Sequence, residues 1–174
     1  MKCIIIGAGE LNVKKIKYDN SDFIIASDGG YIYCKELNIK PNLIVGDLDS
    51  INELPNDVET IKFNPKKDET DTYLSILEGI KRGYKDFTLY GCLGKRLEHT
   101  LANIQIMVGL LKKEVNVELV DDYTYVKVLK ENDELISVKK TCGKNEIVIG
   151  KQKPDVMCMF RAGSVQECKY VRFD

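Results

Sequence analysis

Short apolar runs rich in β-branched residues recur at 3–6, 23–26, 43–45, 58–63, 87–90 and 115–120. Helical or loop-like stretches separate them, which is the rhythm of a parallel α/β sheet. The spacing of Leu97, Leu101, Ile104, Val108 and Leu111 predicts a helix over 97–111 with those residues as its buried stripe. A second helix is predicted over 70–82, carried by Tyr73, Leu74, Leu77 and Ile80, with Asp68 or Thr70 capping its first turn.

After residue 120 the texture changes. Short strand-like pieces at 124–129, 134–138, 146–149, 156–160 and 165–173 alternate with polar or glycine-bearing turns, and no helix of useful length fits between them. The expected fold class is therefore α/β, an N-terminal parallel-sheet domain over 1–121 followed by a small C-terminal antiparallel β lobe over 122–174.

Composition narrows the partners. With 44% hydrophobic and 30% charged residues, the 174-residue chain can bury a substantial core. Its 26 basic and 27 acidic residues leave a net charge of -1, so neither nucleic acid nor an anionic membrane is expected as a partner. The opening apolar stretch is too short for a signal peptide or a membrane span and reads as a buried first strand. The six cysteines form no C-x-x-C pair and mostly sit in apolar runs, so reduced structural thiols and a cytoplasmic location are expected.

The candidate chemistry lies in the aspartates. Asp28, Asp47, Asp49, Asp68 and Asp71 each follow an apolar run or open a helix-like one. In open parallel sheets, ligands bind beyond the carboxyl ends of the strands, where these residues fall. If extended backbone persists past 43–45, Asp47 and Asp49 point to the same side. Taken singly, each aspartate equally suits a turn or a helix cap. Taken together, carboxylates ~4 Å apart repel by ~4 kcal/mol at an effective dielectric of about 20, so a convergent set calls for a cation or shared protons. Magnesium suits an oxygen-only donor set that also meets phosphates. Gly29, Gly30 and Gly46 beside the acids would let backbone approach a ligand closely.

A second element runs from Tyr90 to Ile104, a strand end, a glycine turn and a helix start. Such a helix N-terminus attracts phosphate, and Arg96 adds a bidentate donor. The bland alternatives are a solvated Arg96, a Glu98 that merely suits the first helical turn, and a structural His99, since a lone imidazole with no serine or cysteine motif makes no triad. Gly7-Ala8-Gly9 opens like a dinucleotide fingerprint but has Asn12 at the third glycine, and reads as a tight turn.

In order along the chain, Ser27-Asp28-Gly29-Gly30, Gly46-Asp47-Leu48-Asp49-Ser50, Asp68-Glu69-Thr70-Asp71 and the segment from Gly91 to Asn103 resemble the thiamine pyrophosphokinase family. The resemblance implies an α/β domain, a C-terminal β-sandwich lobe, here partial, and a homodimer with active sites near the interface. It also implies magnesium as cofactor, ATP as co-substrate and thiamine as acceptor, with transfer of the β,γ-pyrophosphoryl group and release of AMP. The implied magnesium ligands are Asp47, Asp49 and Asp71, with Asp49, Asp71 and Arg96 central to catalysis. Asp28, Gly29, Gly30, Ser50, Asp68, Thr70, Arg96, Glu98, His99 and Asn103 would line the nucleotide site.

Two positions depart from the family pattern: Lys95 stands where glycine is usual and Glu98 where aspartate is usual. The family also continues past the region like 156–173 into residues that help bind thiamine, so the expectation is either a fragment of a longer chain or a shortened β lobe with an altered acceptor side. Three other readings stay open. They are a nucleotide-binding relative without catalysis, a pyrophosphokinase for another hydroxymethyl heterocycle such as a pterin, and a phosphohydrolase using Asp47-Leu48-Asp49 to form an aspartyl-phosphate.

Overall fold

The structure is a computed structural model and describes residues 1–11, 16–51, 53–64, 69–94, 96–121, 124–129, 156–161 and 169–172, with backbone alone at 124, 129, 156–161 and 169–172. One sheet organises it. In chain order come β1 (Cys3–Ile6), β2 (Phe23–Ser27), α1 (Gly30–Glu36), β3 (Leu43–Gly46), β4 (Glu59–Lys62), α2 (Asp71–Lys81), β5 (Asp86–Tyr90), α3 (Leu97–Leu111) and β6 (Asn116–Val120). Then follow β7 (Thr124–Leu129), β8 (Val156–Arg161) and β9 (Lys169–Arg172).

The strand order is β4-β3-β2-β1-β5-β6-β7-β8-β9. From β4 to β6 every neighbouring pair is parallel, and from β6 outward every pair is antiparallel. The α/β class therefore holds, and the antiparallel strands continue the same sheet past β6. The strands expected at 134–138 and 146–149 lie outside the described residues, as does most of 165–173.

Alternation along the central strands feeds two cores. Cys3 and Ile5 of β1, with Ile25, Leu43 and Val45, face Ile76 of α2 and Ile104, Met107 and Leu110 of α3. Ile4 and Ile6, with Ile24, Ala26 and Ile44, face Tyr31 and Cys34 of α1. Strands covered on both faces read as continuous apolar runs, which is why the parallel part was so legible. Each fully buried isoleucine or leucine contributes on the order of 1.5–3 kcal/mol.

The helices differ from expectation in phase. In α3 the buried residues are Asn103, Ile104, Met107 and Leu110, while Leu97 and Leu101 are 72% and 55% exposed. This corrects the expected stripe at Leu97 and Leu101 and keeps it at Ile104, with Val108 and Leu111 packed against the core; the helix is apolar nearly all round, so more than one face satisfies a 3.6-residue period. In α2 the innermost residues are Ser75, Ile76, Glu78 and Gly79, with Leu74 and Ile80 at the margin of the core. A small residue is needed there, because a Cβ on Gly79 would lie 2.5 Å from the Phe87 ring. Helix α1 was not anticipated. Among the described residues, no helix is long and apolar enough to cross a membrane.

Candidate active site

Strands β2, β3 and β4 lie to one side of β1, and β5 and β6 to the other. The chain thus reverses its direction of travel at β1 and β5, and the crevice beyond their carboxyl ends is where such sheets bind ligands. An open cleft of about 280 Å³ occupies this position.

One wall is backbone. Ala8 and Gly9 after β1 meet Gly91, Cys92, Leu93 and Gly94 after β5. The Gly7 N–H donates to the Tyr90 carbonyl at 2.8 Å and the Gly9 N–H to the Gly91 carbonyl at 2.6 Å. Side chains have no room at this seam: a Cβ on Gly91 would sit 2.5 Å from the Gly7 carbonyl oxygen, and Gly91 itself has φ +62°. Gly7-Ala8-Gly9 is therefore a turn, as expected, but one that Gly91 packs against and that lines the cleft. Sequence reading missed that lining role because the contact joins segments more than 80 residues apart.

Helix α3 starts at the far end of this wall, with Arg96 at its N-cap and Arg96, His99 and Asn103 lining the cleft. Its first-turn amides lack intrahelical acceptors and carry the positive end of the dipole. Arg96 Nε donates to Glu98 Oε1 at 2.5 Å, and this bond holds the Glu98 carboxyl below the usual range. Asn103 is buried, and its amide donates to the Cys92 carbonyl at 2.8 Å, tying the glycine turn to the helix. Burial pushes the Cys92 thiol up to about 12, which leaves it unreactive.

The other wall is acidic. Asp28 follows β2 and lines the cleft, together with Thr70, Asp71 and Thr72 at the start of α2. The Thr70 hydroxyl accepts from the Tyr73 N–H at 3.2 Å and caps α2, as the sequence predicted. Asp28, Asp47 and Asp49 bring carboxylate oxygens within 4.8 Å of one another. Asp49 is pushed above the usual carboxylate range, chiefly by the Asp47 charge, with smaller contributions that include Asp28 and Asp71. The Ser50 hydroxyl donates to Asp28 Oδ1 at 2.9 Å.

Convergence does not arise by strand alternation. Strand β3 ends at Gly46, and Leu48 takes φ +65°, so the extended backbone expected through Asp47 and Asp49 is interrupted. A turn replaces it, in which the Asp49 N–H donates to Asp47 Oδ1 at 3.3 Å. Left-handed backbone costs a non-glycine residue about 1–2 kcal/mol. The Leu48 side chain is 8% exposed and joins the α1-side core, a burial of similar or greater size at about 1.5–3 kcal/mol. Asp28 is left-handed as well, at φ +47°, a conformation aspartate tolerates better. Its N–H donates to the Val45 carbonyl at 2.7 Å, and Gly46 is needed beneath it because a Cβ there would come 2.9 Å from the Asp28 Cβ.

The expected site residues thus divide. Asp28, Asp47 and Asp49 gather into one cluster, and Asp71 stands on the cleft wall outside that tight group. Thr70, Arg96, His99 and Asn103 line the cleft, with Glu98 on Arg96 and Ser50 on Asp28. Gly29 and Gly30 are buried; a Cβ on Gly30 would lie 1.8 Å from the Ile6 carbonyl oxygen, so Gly30 serves close packing, while one on Gly29 would meet the Ala8 Cβ at 3.1 Å. Asp68 and Lys95 lie outside the described residues. Ser27 and Thr72 line the cleft in addition to the residues anticipated.

A sequence profile described as thiamin pyrophosphokinase, catalytic domain, matches residues 15–119. The chain belongs to the thiamin pyrophosphokinase family. The matched span runs from before β2 into β6 and contains both the acidic wall and α3. Thiamine pyrophosphokinase of Bacillus subtilis is 25% identical over 116 residues, which are 63% of this chain and 54% of that protein. The chain spans about half the length of this curated relative. The solved thiamine pyrophosphokinase from Bacillus subtilis superposes with a TM-score of 0.66 at 20% identity, covering 76% of this chain and 66% of that one. A probable thiamine pyrophosphokinase from Staphylococcus saprophyticus gives 0.60 at 29% identity, covering 75% and 70%. The fold extends to the Candida albicans thiamin pyrophosphokinase, at 0.56 and 16% identity over 75% of this chain and 61% of that one.

Proposed function

We propose that this protein is a thiamine pyrophosphokinase, transferring the β,γ-pyrophosphoryl group of ATP to the hydroxyl of thiamine and releasing AMP. The observation that carries the reading is the approach of Asp28, Asp47 and Asp49 to within 4.8 Å beside the switch-point cleft, in a chain of this family.

The acidic cluster fits magnesium: its donors are all carboxylate oxygens, drawn from two loops, and their mutual repulsion is relieved by a hard divalent ion. Asp47 and Asp49 would hold it, with Asp28 or Asp71 completing the protein's share. Bound there, magnesium supplies charge neutralisation for the phosphates of ATP.

The remaining work falls to groups of the chain itself. Arg96 binds the transferred phosphates, exchanging its Glu98 partner for phosphate oxygens, and the first-turn amides of α3 add neutral donors. The glycine wall admits the phosphate chain against backbone. Asn103 and Ser50 position the Cys92 turn and the Asp28 carboxylate. Asp49 and Asp71 are the candidates for taking the proton of the thiamine hydroxyl, and whichever of them the ion holds is the weaker base. Positioning and electrostatics account for most of the rate in phosphoryl transfer of this kind.

The lobe over 122–174 belongs, in this reading, to the acceptor side. A homodimer with its sites near the interface is supported by the exposed Leu97 and Leu101 beside Arg96. Work in the cytoplasm is consistent with the free, buried Cys3, Cys34 and Cys92.

Incubation with magnesium, ATP and thiamine tests the proposal. AMP and thiamine diphosphate are expected in equal amounts. ATP binding without thiamine-dependent AMP would overturn the activity and leave a nucleotide-binding relative, and AMP formed only with a pterin would move the acceptor.

A further inference from the structure

We propose that Leu48 is a positioning residue for the acidic site: its buried side chain pins a left-handed backbone turn that brings the Asp47 and Asp49 carboxylates onto Asp28. The inference rests on the reading of this cluster as a divalent-cation site and assigns the cause of its geometry.

Several observations meet at this one residue. Leu48 has φ +65°, where glycine or asparagine is the ordinary occupant and a leucine is uncommon. It is nevertheless 8% exposed and belongs to the same core as Ile6, Ala26, Tyr31 and Ile44. Its immediate neighbours face the opposite condition, with Asp47 half-buried and Asp49 exposed beside like charges. An extended backbone would relieve the left-handed strain and, although both side chains would face one way, would space Asp47 and Asp49 roughly 7 Å apart along the strand and ease their repulsion. The apolar anchor opposes that relaxation. Beyond it the turn closes by the Ile51 N–H donating to the Leu48 carbonyl at 3.3 Å, which sets Ser50 against Asp28.

Side-chain burial and backbone tolerance can be separated by substitution. Leu48→Met keeps an apolar anchor that is unbranched at Cβ. Leu48→Val keeps an apolar side chain but adds β-branching, which resists positive φ. Leu48→Gly removes the anchor and the strain together. Manganese, as a magnesium probe, is titrated against each folded variant by electron paramagnetic resonance without nucleotide, with circular dichroism to verify the fold and Asp49→Asn as the reference for a lost ligand. Methionine is expected to stay within about twofold of the wild type, and valine and glycine to weaken manganese binding by about tenfold or more, the range found for residues that orient metal ligands.

A purely structural Leu48 would lower the thermal midpoint of the variants and leave the manganese affinity of their folded fraction unchanged, and that result overturns the inference. If only the methionine and glycine variants fold, unchanged affinity in the glycine variant overturns it equally. Wild-type protein that binds manganese no better than Asp49→Asn would instead overturn the cation site itself, and the positioning role with it.

Discussion

The two walls of the cleft reach close approach by opposite means. On the β1 and β5 side, glycines let backbone press on backbone, and hydrogen bonds from Gly7 and Gly9 hold the seam shut. On the β2 and β3 side, charged groups that repel one another are forced together, and a buried leucine in a left-handed turn holds them. In the proposed reading the first wall needs no ligand and the second is completed by a cation. The difference teaches that loss of function and loss of fold should separate cleanly between the walls.

The largest effect is expected on the acidic wall. Asp49→Asn should lower turnover by about 10³-fold, ~4 kcal/mol of transition-state stabilisation, as removal of a ligand to a catalytic ion does. Its thermal midpoint should stay the same or rise slightly, because the substitution removes a charge crowded chiefly by Asp47. Steady-state kinetics beside a melting curve check both halves, and a fall in the midpoint would erase the contrast between the walls.

The glycine wall should answer in the other currency. Gly91→Ala puts a Cβ 2.5 Å from the Gly7 carbonyl oxygen at φ +62° and is expected to cost about 2–4 kcal/mol of stability. Urea denaturation measures it directly.

A region away from both walls calibrates the scale. The buried Glu78 carboxylate accepts from Arg82 at 2.8 Å and from Lys81 at 2.5 Å, and Arg82 also reaches Glu59 at 2.6 Å. Arg82→Ala should cost about 2 kcal/mol, since it strips one partner from a buried charge. It should leave the affinity for ATP unaltered. Thr70→Ala removes the α2 cap and should cost about 1 kcal/mol.

The smallest effect is in pH. Burial pushes Glu78 up, but the hydrogen bonds and charges of Lys81 and Arg82 outweigh it and leave its folded pKa lowered. The stabilisation is therefore present above the ordinary glutamate pKa of about 4.3 and disappears as pH falls through the lowered folded value. Glu78→Gln should flatten the acid limb of the stability curve in that window, as read from midpoints at successive pH values.

What could be read from the chain divides along the same line. The parallel strands and the α2 cap were legible because each is set by nearby residues: doubly covered strands are continuously apolar, and Thr70 caps its own helix. The acids were legible as a set because each follows an apolar run or opens a helix-like one. Their means of convergence was not, since nothing in Asp47-Leu48-Asp49 shows that leucine turns left-handed; its burial in the core that also holds Tyr31 and Cys34 offsets that strain. The meeting of Gly7 and Gly9 with Gly91 is likewise a product of β1 pairing with β5. Helix α3 misled by abundance, because Leu97 and Leu101 satisfy the period as well as Met107 and Leu110 do.

One ion decides the acidic site. Crystals grown with manganese and a non-hydrolysable ATP analogue, measured for anomalous scattering, should show a peak bonded to carboxylate oxygens of Asp47 and Asp49 close to the roughly 2.0–2.1 Å of magnesium, with the analogue's phosphates between it and Arg96. Phosphates bound in the cleft with no ion at these carboxylates, or an ion held elsewhere, would contradict it.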